Sequence, residues 1–242
     1  MKQIVFLRIT MMIILKKYIR TILTVCLALL EVFALSGCKN ANQYEVLFSS
    51  VFELSIGNDE NSIYGVGTGF KYKAGEIITN YHVVGLKKDG NDITYSYIKG
   101  KIYGGDDYIL FDVSSFSYED DYAILIPKKD FVEKFDKINV LDIDDSNGLK
   151  IGEKCYTIGN LFNYGLAMNE GIISSGLKKL EYKGKQNTFI QTTIEIAKGS
   201  SGGPLFNSKN KVIGLCAFKL RDKNMDYVDG ISFFIPICRL LM

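Results

Sequence analysis

The chain has 242 residues, 47% hydrophobic and 23% charged, an ordinary globular composition with room for one large β domain or two small ones. Its net charge of +2 comes from the N-terminus, because residues 1–37 hold Lys2, Arg8, Lys16, Lys17 and Arg20 against Glu31 alone and leave the remainder slightly acidic. A body so nearly neutral excludes nucleic acid as an electrostatically favoured partner.

The N-terminal segment reads as a processing signal. "LKKYIR" (15–20) supplies positive charge, and "TILTVCLALLEVFAL" (21–35) is an apolar run of signal-peptide length. A membrane-spanning helix needs roughly 20 apolar residues, and this run is shorter and interrupted by Glu31. It ends in "LSGC" (35–38), which resembles the lipobox of bacterial lipoproteins. The resemblance implies cleavage before Cys38, lipidation of Cys38, and a domain anchored in the cell envelope facing outward from the cytoplasmic membrane, with inner or outer membrane undetermined. Residues 1–37 are then a signal peptide and 38–45 a polar tether, an uncleaved signal anchor being the alternative. Residues 1–10 exceed a usual n-region, which leaves Met11 or Met12 as alternative starts.

From residue 46 onward, strand-like segments follow one another. They are "VFELSI" (51–56), "GVGTGFKY" (65–72), "GEIITNYHVV" (75–84), "DDYAILIP" (120–127), "EKCYTIGN" (153–160), "GIISSG" (171–176), "TFIQTTI" (188–194), "KVIGLCAF" (211–218) and "GISFFIP" (230–236). Only "KKDFVEKFDKI" (128–138) is ambiguous between strand and helix, and the charged stretch 128–150 is the natural link between two halves. Many short runs separated by turn signals predict an all-β barrel or sandwich. Cys155, Cys216 and Cys238 sit in apolar runs and behave as small buried hydrophobes, so no disulfide is expected.

The stretch "IEIAKGSSGGPLFN" (194–207) is either a glycine-rich turn or the home of a reactive serine. The chain has one histidine, His82 in "ITNYHVV", and one carboxylate opens an apolar strand, Asp121 in "DDYAILIP". Singly, each has an ordinary explanation: a satisfied core histidine, a gatekeeper at a strand mouth. Together they fit one chemistry. A serine hydroxyl needs a base working near neutral pH, and the imidazole needs a carboxylate to fix its tautomer. The order His82, Asp121, Ser201 is that of chymotrypsin-type triads. The G-x-S-x-G elbow of α/β-hydrolases also matches "GSSGG", but it requires a following helix and a downstream histidine, and Pro204 and a strand follow instead. A phosphate loop fails for want of Gly-Lys-Ser/Thr.

"GTGF…IITNYHVV", "DYAIL", "IGNLFNYGLAMNEGIISSG", "QTTIEIAKGSSGGPLFN" and "GISFFIP" resemble, in order, the motifs of the trypsin-like HtrA (Deg) serine proteases, over residues 46–237. The resemblance implies two six-stranded antiparallel β-barrels, about 46–135 and about 150–237 of a domain spanning 46–242, with the active site in the cleft between them. It implies His82, Asp121 and Ser201 as catalytic residues and the backbone N–H groups of Gly199 and Ser201 as the oxyanion hole. It implies Glu195, Ile196, Leu215, Cys216 and Ala217 as substrate-binding residues, with a modest apolar P1 side chain. Glu195 departs from that pattern, lying where trypsin-like enzymes selective for Arg or Lys place an acid. The sequence stops soon after "FFIP", without the PDZ domain of most HtrA proteases, and "YEVLF" (44–48) resembles the aromatics that build HtrA trimers, although it also reads as a first strand.

The implied function is a serine endopeptidase acting on proteins or peptides outside the cytoplasmic membrane, without metal or cofactor. A protease-fold chaperone that binds unfolded chains without cutting them, and an esterase with the same triad, are the competing readings.

Overall fold

The computed structural model describes residues 16–26, 44–146 and 148–241. The chain divides into two compact units, Met1–Val46 and Leu47–Met242. In the first, residues 16–26 are helical, and no helix among the described residues is long and apolar enough to cross a membrane. Cys38 and its "LSGC" lie outside the described residues.

The described residues of the second unit form fourteen strands: β1 (Val51–Gly57), β2 (Ile63–Lys73), β3 (Glu76–Thr79), β4 (Gly85–Lys88), β5 (Asn91–Thr94), β6 (Tyr97–Ile102), β7 (Tyr108–Ser117), β8 (Tyr122–Pro127), β9 (Lys154–Asn160), β10 (Leu166–Tyr182), β11 (Lys185–Thr192), β12 (Pro204–Asn207), β13 (Val212–Arg221) and β14 (Tyr227–Pro236). The first sheet closes into a barrel in the order β1-β2-β3-β8-β7-β6, antiparallel at every pairing. The second closes into a ring in the order β10-β11-β14-β13-β12-β9.

Alternation along the strands explains the packing. Phe52, Leu54 and Ile56 of β1 point into the first barrel with Phe111 and Phe135, while Val51 faces a different apolar cluster containing Phe70, Phe206 and Leu215. In β13, Cys216 faces the interior of the second sheet with Ile190 and Phe234, and its neighbours Leu215 and Ala217 face the cluster shared with the first. Because both faces of these strands are covered, they read as apolar runs rather than clean alternation. Lys71 of β2 is the exception: its buried ammonium donates to the carbonyls of Phe135 (2.9 Å) and Ile138 (2.8 Å) and so pins the connecting segment.

The expectation of an all-β chain built from two six-stranded barrels is corrected by these features. The second sheet is a ring with a long arm: β10 pairs with β9 only over Leu166–Ile172, and beyond it β10 and β11 run on as a hairpin to Tyr182 and Lys185. Helical segments also interrupt the strands, at 44–49, Tyr81–Val84 and Val132–Asp136, and β4 and β5 form a separate two-stranded sheet. Single helical turns are too short for a 3.6-residue period to show, so "YEVLF" and "YHVV" looked like strand. Cys155, Cys216 and Cys238 are free thiols, the first two fully buried.

Candidate functional site

His82 lies in the single helical turn that follows β3, where Asn80 adopts extended backbone and starts the turn. Asp121 sits just before β8 with φ 52°, a left-handed conformation that Asp tolerates better than most side chains. Its carbonyl accepts from Asn80 Nδ2 (2.9 Å), and its carboxylate accepts from the His82 backbone N–H (3.1 Å). His82 Nδ1 is 2.8 Å from Asp121 Oδ2, which leaves Nε2 as the nitrogen free to face the cleft. The Asp121 side chain is fully buried, whereas that of His82 is about one-third exposed (36%).

Two further groups grip the same carboxylate. The Tyr182 hydroxyl donates to Oδ2 (2.8 Å) and Lys183 Nζ lies 2.6 Å from Oδ1. Burial alone would raise the carboxyl's pKa, but His82 and Lys183 outweigh it and hold Asp121 below the usual carboxylate range. Burial, reinforced by the Asp121 charge, pushes the Tyr182 hydroxyl up, which keeps it a hydrogen-bond donor.

The serine loop is held by its own turns and by the first sheet. Ser200 N–H donates to Ala197 O (3.0 Å) and Gly203 N–H to Ser200 O (3.0 Å), while Gly202 N–H donates to Cys216 O and Cys216 N–H to Gly203 O. Thr68 of β2 reaches across: its N–H donates to Ser201 O (2.8 Å), its hydroxyl donates to Gly199 O (2.7 Å) and accepts from Asn160 N–H (3.0 Å). Gly199 (φ 97°) and Gly202 (φ 83°) must be glycine, because a Cβ there would sit 2.0 Å from Asn160 O and from Thr68 O respectively. Among the described residues the N–H groups of Gly199 and Ser201 have no protein acceptor.

His82 and Ser201 line one cleft of about 410 Å³. In this conformation no hydrogen bond joins their side chains among the described residues, a looseness common in unliganded sites. Of the other sequence-derived residues, Ile196 and Ala217 line the cleft. Leu215 and Cys216 are buried in β13 and do not. Glu195 also stands outside the lining; its carboxylate accepts from Gly230 N–H and pairs with Lys219, which does line the cleft and also binds Asp229. No cluster of His, Cys, Asp and Glu suited to a metal ion occurs among the described residues.

Sequence reasoning did not single out Thr68, Tyr182, Lys183, Lys219 or Phe162, the last a cleft residue whose N–H donates to Lys198 O (2.7 Å). Thr68 stood in the quoted "GTGF" motif, and "YKGK" (182–185) carried a turn signal, but neither shows where its side chains land.

A model of the trypsin-like peptidase domain matches residues 67–215. The chloroplastic Protease Do-like 5 of Arabidopsis thaliana is 31% identical over 198 residues, covering 74% of this chain and 56% of that protein. The serine endoprotease DegS of Haemophilus influenzae is 29% identical over 202 residues, covering 81% of this chain and 53% of that protein. The chain thus spans about half the length of these curated relatives. A solved HtrA-type protease, AlgW with a tripeptide, superposes with a TM-score of 0.66 at 24% identity over 82% of this chain and 60% of that one, a likeness of fold.

Proposed function

From the premise that the chain belongs to the trypsin-like peptidase family, we propose that it is a serine endopeptidase of the HtrA/Deg type that hydrolyses peptide bonds of proteins outside the cytoplasmic membrane. The observation that carries this reading is the His82–Asp121 pair, 2.8 Å apart, opening onto the same cleft as Ser201.

Ser201 Oγ attacks the scissile carbonyl while His82 Nε2 takes its proton. Asp121 holds the imidazole through Nδ1–H and stabilises the imidazolium that forms. The tetrahedral oxyanion is received by the N–H groups of Gly199 and Ser201, which no protein group among the described residues claims. Loss of one such donor typically costs about 10²–10³ in rate. His82 then protonates the departing amine, and the acyl-enzyme on Ser201 is hydrolysed by water that His82 activates in turn. Ile196 and Ala217 in the cleft lining support an apolar P1 side chain, and the ion-paired Lys219 adds a polar group to the same lining.

The lipid anchor on Cys38 belongs to the same reading and rests on "LSGC". It places the enzyme on an envelope membrane; a trimer remains compatible with it.

The test is labelling of the purified protein with a fluorescent fluorophosphonate beside Ser201→Ala and His82→Ala, followed by casein digestion. Labelling and digestion lost in both variants are expected. A folded wild type that neither labels nor digests casein, with or without unfolded protein added, favours the chaperone and refutes the mechanism. Labelling without digestion favours the esterase.

A further inference from the structure

The grip of Tyr182 and Lys183 on Asp121 has no part in the mechanism above. Both residues stand at the tip of the β10–β11 hairpin. Tyr182 pairs there with Lys185, and the two residues between, Lys183 and Gly184, both have positive φ (51° and 81°). Two-residue turns with that backbone match the twist of their strands, so the hairpin itself aims the tip. The Lys183 side chain is only 13% exposed, and its ammonium also lies over the rings of Tyr118 (4.7 Å) and Tyr81 (5.4 Å).

The Asp121 carboxylate therefore receives four donors: His82 N–H and Lys183 Nζ at Oδ1, His82 Nδ1 and Tyr182 OH at Oδ2. A carboxylate offers about four acceptor sites, so this one is saturated and cannot turn. The neighbouring charges are spoken for. Asp120 is bound by Lys185 (2.8 Å) and faced by Arg239 (3.7 Å), and Lys87, over the Tyr118 ring, is 3.9 Å from Glu119. Lys183 is thus the cation that shares Asp121 with His82.

We propose that Tyr182 and Lys183 are positioning residues for the His82–Asp121 pair: the hairpin tip clamps the carboxylate, and its ammonium offsets part of the negative charge that His82 feels. The inference rests on the catalytic reading of that pair. A carboxylate beside an imidazole favours the protonated ring, and a cation on the carboxylate's other oxygen opposes this. The clamp accordingly fixes the carboxylate on which the imidazole ring is held and sets a cation 2.6 Å from its other oxygen.

His82 is the chain's only histidine, so its ring signal in an NMR titration is unambiguous and needs no turnover. The full chain is compared with Lys183→Met, Lys183→Arg and Tyr182→Phe, the last keeping the ring stack on Phe218 (5.0 Å). Lys183→Met is expected to move the titration midpoint up by about half to one pH unit. The acidic limb of kcat/KM moves with it while the high-pH plateau changes less; Lys183→Arg restores the wild-type profile, and Tyr182→Phe gives a smaller upward shift. An unmoved midpoint in a folded Lys183→Met protein overturns the proposal. Should that variant not fold, an unmoved midpoint in Tyr182→Phe does so. A wild type that shows no fluorophosphonate labelling refutes the catalytic reading instead, and the midpoint comparison still decides the clamp.

Discussion

Replacing Thr68 with Val tests whether the first sheet holds the serine loop in shape. The two side chains have nearly the same outline, so the change removes a hydroxyl from a site that is fully buried and leaves its packing in place. Two hydrogen bonds disappear, one to Gly199 O at 2.7 Å and one from Asn160 N–H at 3.0 Å. Each leaves a backbone group without a partner where water cannot readily replace it, at about 1–3 kcal/mol per group, so a loss of roughly 2–6 kcal/mol is expected. The carbonyl released is that of Gly199, whose own N–H is one of the two proposed oxyanion donors. A loop free to rotate there should lower kcat by about ten- to a hundredfold, short of losing the donor outright, with less effect on KM. Urea denaturation gives the first number and steady-state hydrolysis of a fluorogenic peptide the second. A variant within about 0.5 kcal/mol of wild type and equal to it in kcat would refute the reasoning, because a surface substitution does no more than that.

Two further outcomes follow from the same packing. Gly202→Ala would place a Cβ 2.0 Å from Thr68 O and 2.2 Å from Thr79 Oγ1 at a positive φ, and should destabilise the protein by about 3 kcal/mol or prevent folding; wild-type melting would contradict this. Burial pushes the Cys155 thiol up to about 12 and the Cys216 thiol up as well, so iodoacetamide should modify Cys238 in the native protein and reach Cys155 and Cys216 only on unfolding. Rapid native modification of either buried thiol, located by peptide mass mapping, would show the second sheet to be looser than described.

The strands were legible where one face dominates. Phe52, Leu54 and Ile56 alternate in β1, and the turn chemistry around them marks its ends. Strands β4 to β6 were not, because "LKKDGNDITYSYIKG" mixes charge with short apolar runs, even though β4 and β5 pair with each other across the turn at Asp89 and Gly90. His82 and Asp121 could be paired on paper since a reactive serine requires a base and the base an acid, and there is one histidine to choose. No comparable rule points to Thr68, whose hydroxyl meets a carbonyl 131 residues downstream, or to Lys183, which meets Asp121 62 residues upstream. Such contacts are properties of how sheets are stacked and how a hairpin is aimed. The substrate side is legible by halves: Ile196 and Ala217 reach the cleft, whereas Cys216 turns into the second sheet with the pleat, and Leu215, on the same face as Ala217, is covered by the shared apolar cluster.

Thr68 belongs to the N-terminal half of the domain and the loop it holds to the C-terminal half. On the proposed mechanism, then, neither half alone owns a finished reaction centre: one would carry the base and its acid, the other an unsupported nucleophile. A gene cut within the connector, after residue 139, would encode two silent fragments that recover function only on meeting. Fused to two other proteins, those fragments would make a proximity sensor with built-in gain, since each reunited pair turns over many substrate molecules.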